Sequence, residues 1–482
     1  MSCRHELSWF VHLIIALTKS RMHVFETVVV IGCGTIGLPS AVAFAERGAT
    51  VTGVDVDIQR LARLACGDLD RLDDGLAGAL QSALARGALR FSTSMDRADT
   101  PRAFIIAVQT PVDGAGHPDL AYLDAAMEAV LVCARRDDLI VLRNTVSIGT
   151  TRRIAAEIRQ RGLTLRLAAC PDRSLTGNSY REQFLIPTII GGVDERSTEA
   201  AAALFRRIGE VVPVSSSDTA EAAKLFCNVQ RDIQFATANQ FALICEQRSI
   251  DFSGVTAAAA YHYPRFSIAR PGPVGGGCLP KDGVLLAMTE DGPLDTMPLV
   301  AAARGLNLSL VDVVANVTIA HVQQRMTEHP TIAILGMAFK GTPPTADRRG
   351  SFGVALAEQL AARLTHAVIR TWDPVLSPDA DGQRLDDALG AADCVILAND
   401  HPFLDQINWR EMAARLKPGA LIYDACGRDP IPCNALPNAV LFHSFGRNAG
   451  RQIALQGTKA TITQSATAQS ASAQSRQGAC DK

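Results

Sequence analysis

Short runs of β-branched and apolar residues alternate with Ala-rich segments of helical period along most of the chain. The runs TVVVIG, ATVTGVD, AFIIAV, LIVLRNT and PTIIGG, each followed by a helical stretch, predict parallel strands covered by helices. A second, shorter series begins after His329-Pro330: TIAILG, AVIRTWD, CVILAND and ALIYDA. Between the two series, Asp218 to Ile250 contains neither Gly nor Pro, which predicts one long helix. The expected fold class is α/β, with two doubly wound parallel-sheet domains joined by that helix and a helical middle. The expected divisions are a leader over 1–26, a first α/β domain over 27–212, the helical middle over 213–320, a second α/β domain over 321–454 and a tail over 455–482.

The two ends read differently from the rest. WFVHLIIAL, from Trp9 to Leu17, has the length of a signal-peptide core, but His12 interrupts it, no small-x-small cleavage site follows, and Lys19 and Arg21 come next. Initiation at Met22 is the expected start. From Gly457 the chain is rich in Ser, Thr, Gln and Ala and lacks aromatics, so it is expected to remain disordered.

With 482 residues the chain has room for two or three domains. Lys+Arg 47 against Asp+Glu 49 leaves a formal charge of −2, with no footprint of a nucleic-acid partner. The 12 cysteines are scattered without a CxxC pair, the usage of a reduced, cytosolic protein rather than of a disulfide framework or a zinc site, so no metal is expected. No apolar stretch outside the leader is expected to reach the ~18 residues needed to cross a bilayer. A soluble, cytoplasmic protein with no membrane partner is the expectation.

TVVVIGCGTIG, from Thr27 to Gly37, reads as strand and turn, with Gly32, Gly34 and Gly37 in the pattern G-x-G-x-x-G just before a helical run. Gly32 permits the tight turn, Gly34 admits a pyrophosphate to the backbone and Gly37 lets the helix pack closely. The helix N-terminus offers N–H groups and a positive dipole to phosphate. Asp55 ends the second strand, where a carboxylate accepts from ribose hydroxyls and repels a 2′-phosphate. The first domain is therefore Rossmann-like, and NAD rather than NADP is the expected cofactor.

Cys278 follows Gly275, Gly276 and Gly277 in PGPVGGGCLPKD. Glycines there would let the backbone approach a substrate and leave the thiol uncovered. Beside a nicotinamide, a thiolate suits covalent aldehyde oxidation, because its thiohemiacetal is a tetrahedral hydride donor. Lys281 and Asp282 are near enough in sequence to influence its proton traffic. A cysteine after glycines is also a common packing residue, and the spacing leaves both readings open. Lys224 and Asn228, at i and i+4 in EAAKLFCN, project from one helix face and suit a shared oxyanion; a solvated lysine and a surface asparagine fit the same spacing.

Several separated motifs agree in order with one family: the glycine loop with Asp55, AVQTP, NTVSIGTT from Asn144, AEAAKLFCN, GGGCLPKD, LGMAFKG, DRRGS and WDP. From Thr27 to Asn448 the chain resembles the UDP-glucose/GDP-mannose dehydrogenase family of nucleotide-sugar 6-dehydrogenases. The resemblance implies an N-terminal NAD domain, a helical middle forming a dimer core, and a C-terminal domain binding the UDP-sugar. It implies a four-electron oxidation of a C6 alcohol to a carboxylate with two NAD. By position it makes Cys278 the nucleophile, Lys224 and Asn228 the oxyanion donors, and Asp282 with Thr145 the water-linked acid/base group. It assigns Gly32, Gly34, Ile36, Gly37, Asp55, Thr110, Thr145, Lys281 and Arg349 to the cofactor. Lys224, Asn228, Arg265, Gly275, Phe339 and Lys340 fall to the substrate, Arg265 donated across a dimer.

Four positions depart from the family pattern. Asp172 stands where the family usually has a Glu that helps water attack the thioester, Gly277 replaces a common His, Gln240 a frequent Glu, and Ala346 an Asp. PDRSLTG, NVQRDIQFATANQFALICE and FKGTPPTADRRGS are most similar to the branch acting on UDP-N-acetyl-D-mannosamine, so its uronic acid, made for a surface polysaccharide, is the expected product. UDP-glucose, UDP-N-acetylglucosamine, a two-electron hydroxyacid oxidation and a catalytically weakened binding homologue are the alternatives.

Overall fold

The computed structural model describes residues 25–447 apart from 70–72, 114–115, 295–296, 377–384, 429–430, 432–435 and 438. The expected tail, and the expected leader up to residue 24, lie outside the described residues. Phe25, within that expected leader, is buried in the first core. The described residues up to Asn228, with those from Lys281 to 294, form one compact unit; Val229–Pro280 with those from Met297 onward form the other.

In the first unit eight strands form one sheet in the order β3-β2-β1-β4-β5-β6-β7-β8. They are β1 (Thr27–Ile31), β2 (Thr50–Val54), β3 (Leu89–Ser92), β4 (Ala103–Ile106), β5 (Leu139–Leu142), β6 (Arg166–Ala169), β7 (Thr188–Gly192) and β8 (Val211–Pro213). The first six give the doubly wound order 3-2-1-4-5-6, whose direction reverses between β1 and β4. Strands buried on both faces read as continuous apolar runs, and β4 and β5 are buried at every position. β7 departs from the expected all-parallel sheet: it pairs antiparallel with β6, and β8 runs with it. The link from Cys170 to Pro187 holds one seven-residue helix, Ser179–Leu185, in place of a full crossover helix. Helices on both faces close the core, with Phe44 and Phe205 edge to face at 5.4 Å between centroids. A hairpin of β9 (Met288–Thr289) and β10 (Gly292–Pro293) completes the unit.

The second unit carries five parallel strands: β11 (Thr331–Leu335), β12 (Val368–Trp372), β13 (Cys394–Leu397), β14 (Leu421–Asp424) and β15 (Leu441–Ser444). Their order is β12-β11-β13-β14-β15, again with a switch point, here between β11 and β13. The expected long helix spans Ser217–Arg248, 32 residues, and its C-terminal half lines this unit's core through Ala238, Ala242 and Leu243.

A second long helix, Pro298–Gln324, corrects the reading that no segment is apolar enough to span a bilayer. Among the described residues it is the one helix both long and apolar enough to cross a membrane by length and composition, with a mean hydropathy of 1.4 over an 18-residue window. Its Leu310, Val313, Val314 and Val317 fill the second unit's core, and each such side chain contributes about 1.5–3 kcal/mol by burial. Arg304, Asn307, Asp312 and Asn316 break its apolar run, which is why inspection of uninterrupted stretches passed over it.

Candidate active site

The first unit builds a dinucleotide cradle at the sheet's switch point. Gly32, at φ +90°, lies so close to the chain after β4 that an added Cβ would come within 2.8 Å of the Ala107 carbonyl. A Cβ on Gly37 would overlap the Gly32 carbonyl, whereas one on Gly34 would meet nothing within 4 Å. The helix Gly37–Glu46 starts at Ile36 without a side-chain cap, so no side chain of the chain caps its N-terminus. Open backbone and an uncapped helix start fit the pyrophosphate of NAD.

Asp55 is buried at the end of β2, accepting from the Cys33 N–H at 2.8 Å and the Asp57 N–H at 3.0 Å. Arg60 pairs with it at 3.3 Å, a cation that the spacing argument did not include. Thr110 Oγ1 donates to the Thr145 carbonyl at 2.6 Å, and the Asn144 amide donates to the Val108 carbonyl, so the turns after β4 and β5 are tied together. Asn144 Oδ1 and Ser147 Oγ are buried there without a protein partner.

The same unit gathers the long helix and the helix Leu279–Ala287 around one carboxylate. Asp282, fully buried, accepts from the Asn228 amide at 2.5 Å and from Lys281 Nζ at 2.9 Å. Lys224 is buried as well, and its charge reaches Asp172. Burial opposes ionisation of Asp172, but Arg143, Ser174, Lys224 and Gln183 overcome it and hold the carboxyl below its usual range. One turn before Lys224, buried Glu221 accepts from the Gly149 and Thr151 N–H groups and from Thr151 Oγ1. Burial outweighs those donors and pushes its carboxyl up to about 7. Glu221 lies inside the AEAAKLFCN motif, where attention goes to Lys224 and Asn228, and Arg143 directly precedes the motif that starts at Asn144; neither is singled out by sequence.

The second unit holds Cys278, exposed, immediately before the helix Leu279–Ala287. The glycines before it accommodate this unit's own chain. A Cβ on Gly275 would overlap the Gly350 carbonyl, one on Gly276 (φ +94°) would come within 2.8 Å of the Phe339 ring, and one on Gly277 within 2.9 Å of the Arg349 guanidinium. Arg349 is held by Asp347 at 2.6 Å and is close enough to Cys278 for their charges to interact. Lys340 Nζ sits 5.6 Å from the Phe339 ring centroid. Phe339, Lys340, Arg349, Gly275 and Cys278 are thus brought together, while Arg265 is exposed and leans on Tyr263.

Below the cysteine, Asn239 fixes the loop by accepting from the Gly272 N–H at 2.7 Å, and Arg304 reaches both Asp232 and the Val274 carbonyl. A cavity of about 330 Å³ in this unit is lined by Arg270, Arg428 and Arg447 with Phe252, Ser253 and Ile268. No carboxylate lines it, so it suits an anionic group. Arg270, Arg428 and Arg447 were invisible to motif reading because they come from three separate loops.

A glycine loop opening a helix at a switch point, followed by a second α/β domain, is the architecture of an NAD-dependent dehydrogenase. Residues 26–209 match the NAD binding domain, 218–309 the central domain and 333–428 the UDP binding domain of the UDP-glucose/GDP-mannose dehydrogenase family, and the chain belongs to that family. It is 30% identical over 430 residues to the UDP-N-acetyl-D-mannosamine dehydrogenase of Pyrococcus horikoshii, taking in 87% of this chain and 99% of that one. It is 31% identical over 414 residues to the NDP-N-acetyl-D-galactosaminuronic acid dehydrogenase of Ralstonia nicotianae, with 81% and 95% covered. The solved structure of the Pyrococcus horikoshii UDP-D-ManNAc dehydrogenase superposes with a TM-score of 0.77 at 29% identity, covering 88% of this chain and 99% of that one.

Proposed function

We propose that this protein oxidises the C6 alcohol of UDP-N-acetyl-D-mannosamine to the carboxylate, a four-electron reaction supplying a uronic acid for a surface polysaccharide. The observation that carries it is the exposed Cys278 at the start of the helix that bears Lys281 and Asp282. Relatives named for N-acetylhexosamine derivatives support the sugar. Bound NAD supplies the chemistry of hydride acceptance, two molecules serving in succession.

The chain's own residues do the rest. The Cys278 sulfur adds to the C6 aldehyde carbon, forming a C–S bond and an oxyanion to which Lys224 and Asn228 donate. After hydride loss the thioester carbon is attacked by water, the C–S bond breaks, and the thiol and the uronic acid are released. Asp282 and Thr145 handle the associated protons, while Arg265, Gly275, Phe339 and Lys340 hold the nucleotide sugar. Ile36, Lys281 and Arg349 join the glycines, Asp55, Thr110 and Thr145 around the cofactor.

We infer that two copies pair through the helical middle, over 213–320. The exposed Phe226, Phe241 and Ile244 of the long helix support this. Nine free thiols among the described residues support a reducing compartment, the cytoplasm.

The test is NADH released per sugar consumed, on UDP-N-acetyl-D-mannosamine, UDP-N-acetyl-D-glucosamine, UDP-glucose and GDP-mannose. Two NADH per UDP-N-acetyl-D-mannosamine is the expected result. One NADH per sugar overturns the four-electron chemistry, and turnover of UDP-glucose alone overturns the substrate. Cys278→Ser should form no acid while keeping its affinity for NAD.

A further inference from the structure

The carboxylate of Asp172 has four donors on its two oxygens. Oδ1 accepts from Arg143 Nη2 at 2.7 Å and from the Gln183 amide at 3.1 Å; Oδ2 accepts from the Ser174 N–H at 3.0 Å and the Ser174 hydroxyl at 2.5 Å. The Asp172 N–H in turn donates to the Arg143 carbonyl at 3.1 Å. A carboxylate offers about four lone-pair sites, so this one has none left for a water molecule. Protonating it would break one of these bonds and leave the Arg143 guanidinium uncompensated where both residues are 5% exposed.

The network also leads somewhere. Gln183 Oε1 accepts from Arg143 Nη2 at 2.9 Å and from Ser40 Oγ at 3.1 Å, and Ser40, fully buried, belongs to the glycine-loop helix Gly37–Glu46. Arg143 Nη1 donates to the Cys170 carbonyl at 3.0 Å, and the guanidinium lies 5.2 Å from the Phe205 ring centroid. Arg143 is the residue directly before Asn144 and Thr145, the turn tied to Val108 and Thr110. One buried chain of bonds therefore runs from the phosphate-binding helix through Gln183 and Asp172 to the turn that carries Thr145.

We propose that Asp172 is a positioning residue that, with Arg143 and Gln183, braces the Asn144–Thr145 turn against the glycine-loop helix and so sets NAD affinity, and that it does not activate the water that releases the acid. The carboxylate is committed to Arg143, Gln183 and Ser174. The second half of the inference rests on the proposed thioester route, and the first half does not.

The test is Asp172→Asn, read by calorimetric titration with NAD and by intact-protein mass after mixing with NAD and UDP-N-acetyl-D-mannosamine. NAD binding should weaken roughly 2- to 30-fold, the size of coupling through a buried network, with no acyl adduct accumulating on Cys278. An acyl adduct that accumulates overturns the proposal, because a missing base stalls the enzyme at that point; unchanged NAD affinity overturns it as well. Should Asp172→Asn fail to fold, Gln183→Ala cuts the link to Ser40 with the carboxylate in place and tests the brace alone: NAD binding should weaken in the same range, and unchanged affinity overturns the proposal. If the wild-type protein forms acid from no nucleotide sugar, the proposed reaction fails and the second half of the inference falls with it, while the NAD titrations still decide the first half.

Discussion

Asn228 and Asp282, 54 residues apart in sequence, share a 2.5 Å hydrogen bond in which the asparagine amide donates to the carboxylate. The bond joins the long helix to the helix that follows Cys278, and Lys281 occupies the other carboxylate oxygen at 2.9 Å. Asp282 is thereby fixed with one neutral and one charged donor, one on each oxygen, an arrangement that sets the orientation of its carboxylate.

Asn228→Asp replaces that donor by a second carboxylate at the same short distance. Two carboxylates sharing a site cannot both ionise, so one takes up a proton and the Asn228 amide is lost to the oxyanion as well. The expected outcome is a fall in kcat of roughly 100-fold or more in steady-state NADH production, with the far-UV circular dichroism of the wild type. A kcat within about threefold of wild type would show that the pair stands outside the chemistry.

Within the glycine loop, two positions separate fold from ligand. Gly37→Ala drives a Cβ into the Gly32 carbonyl, rigid backbone that cannot yield, and should destabilise the protein by roughly 1–3 kcal/mol in urea unfolding. Gly34→Ala puts its Cβ into open space, so stability should stay within about 0.5 kcal/mol of wild type. That open space is where the pyrophosphate approaches, and NAD affinity should drop roughly tenfold, about 1.4 kcal/mol. Equal stability losses in the two variants would contradict this division.

Local patterns made much of this legible. The glycine loop, Asp55 and the long helix follow from spacing over a few residues or an unbroken helical run, and the structure has them at Gly32–Gly37, Asp55 and Ser217–Arg248. Strand direction is not encoded in the composition of a run, so PTIIGG gave no sign that β7 turns antiparallel. The glycines before Cys278 were read as access for a substrate; the space beside them is claimed by Phe339, Arg349 and Gly350, more than 60 residues later in the chain. Arg143, Gln183 and Ser40 are ordinary residue types whose meaning lies in long-range partners, |i−j| of 40 and 143, which no local pattern records.

Glu221 gives the structure a measurable pH signature. Its two oxygens accept from the Gly149 N–H at 2.7 Å, the Thr151 N–H at 2.8 Å and Thr151 Oγ1 at 2.6 Å, and burial still raises its carboxyl from 4.5 to about 7. The folded protein then binds this proton more tightly than the unfolded chain. The contribution is fully present below the unfolded value and is lost as pH rises through about 7, the reverse of an ion-paired carboxylate. Glu221→Gln cannot titrate, so the stability of wild type relative to this variant should decline between pH 5 and pH 8.5, by up to about 3 kcal/mol. Urea unfolding of both proteins at the two pH values measures the difference directly. A difference that stays flat, or grows with pH, would mean that Glu221 is ionised without penalty and that its three donors, not its burial, control the charge.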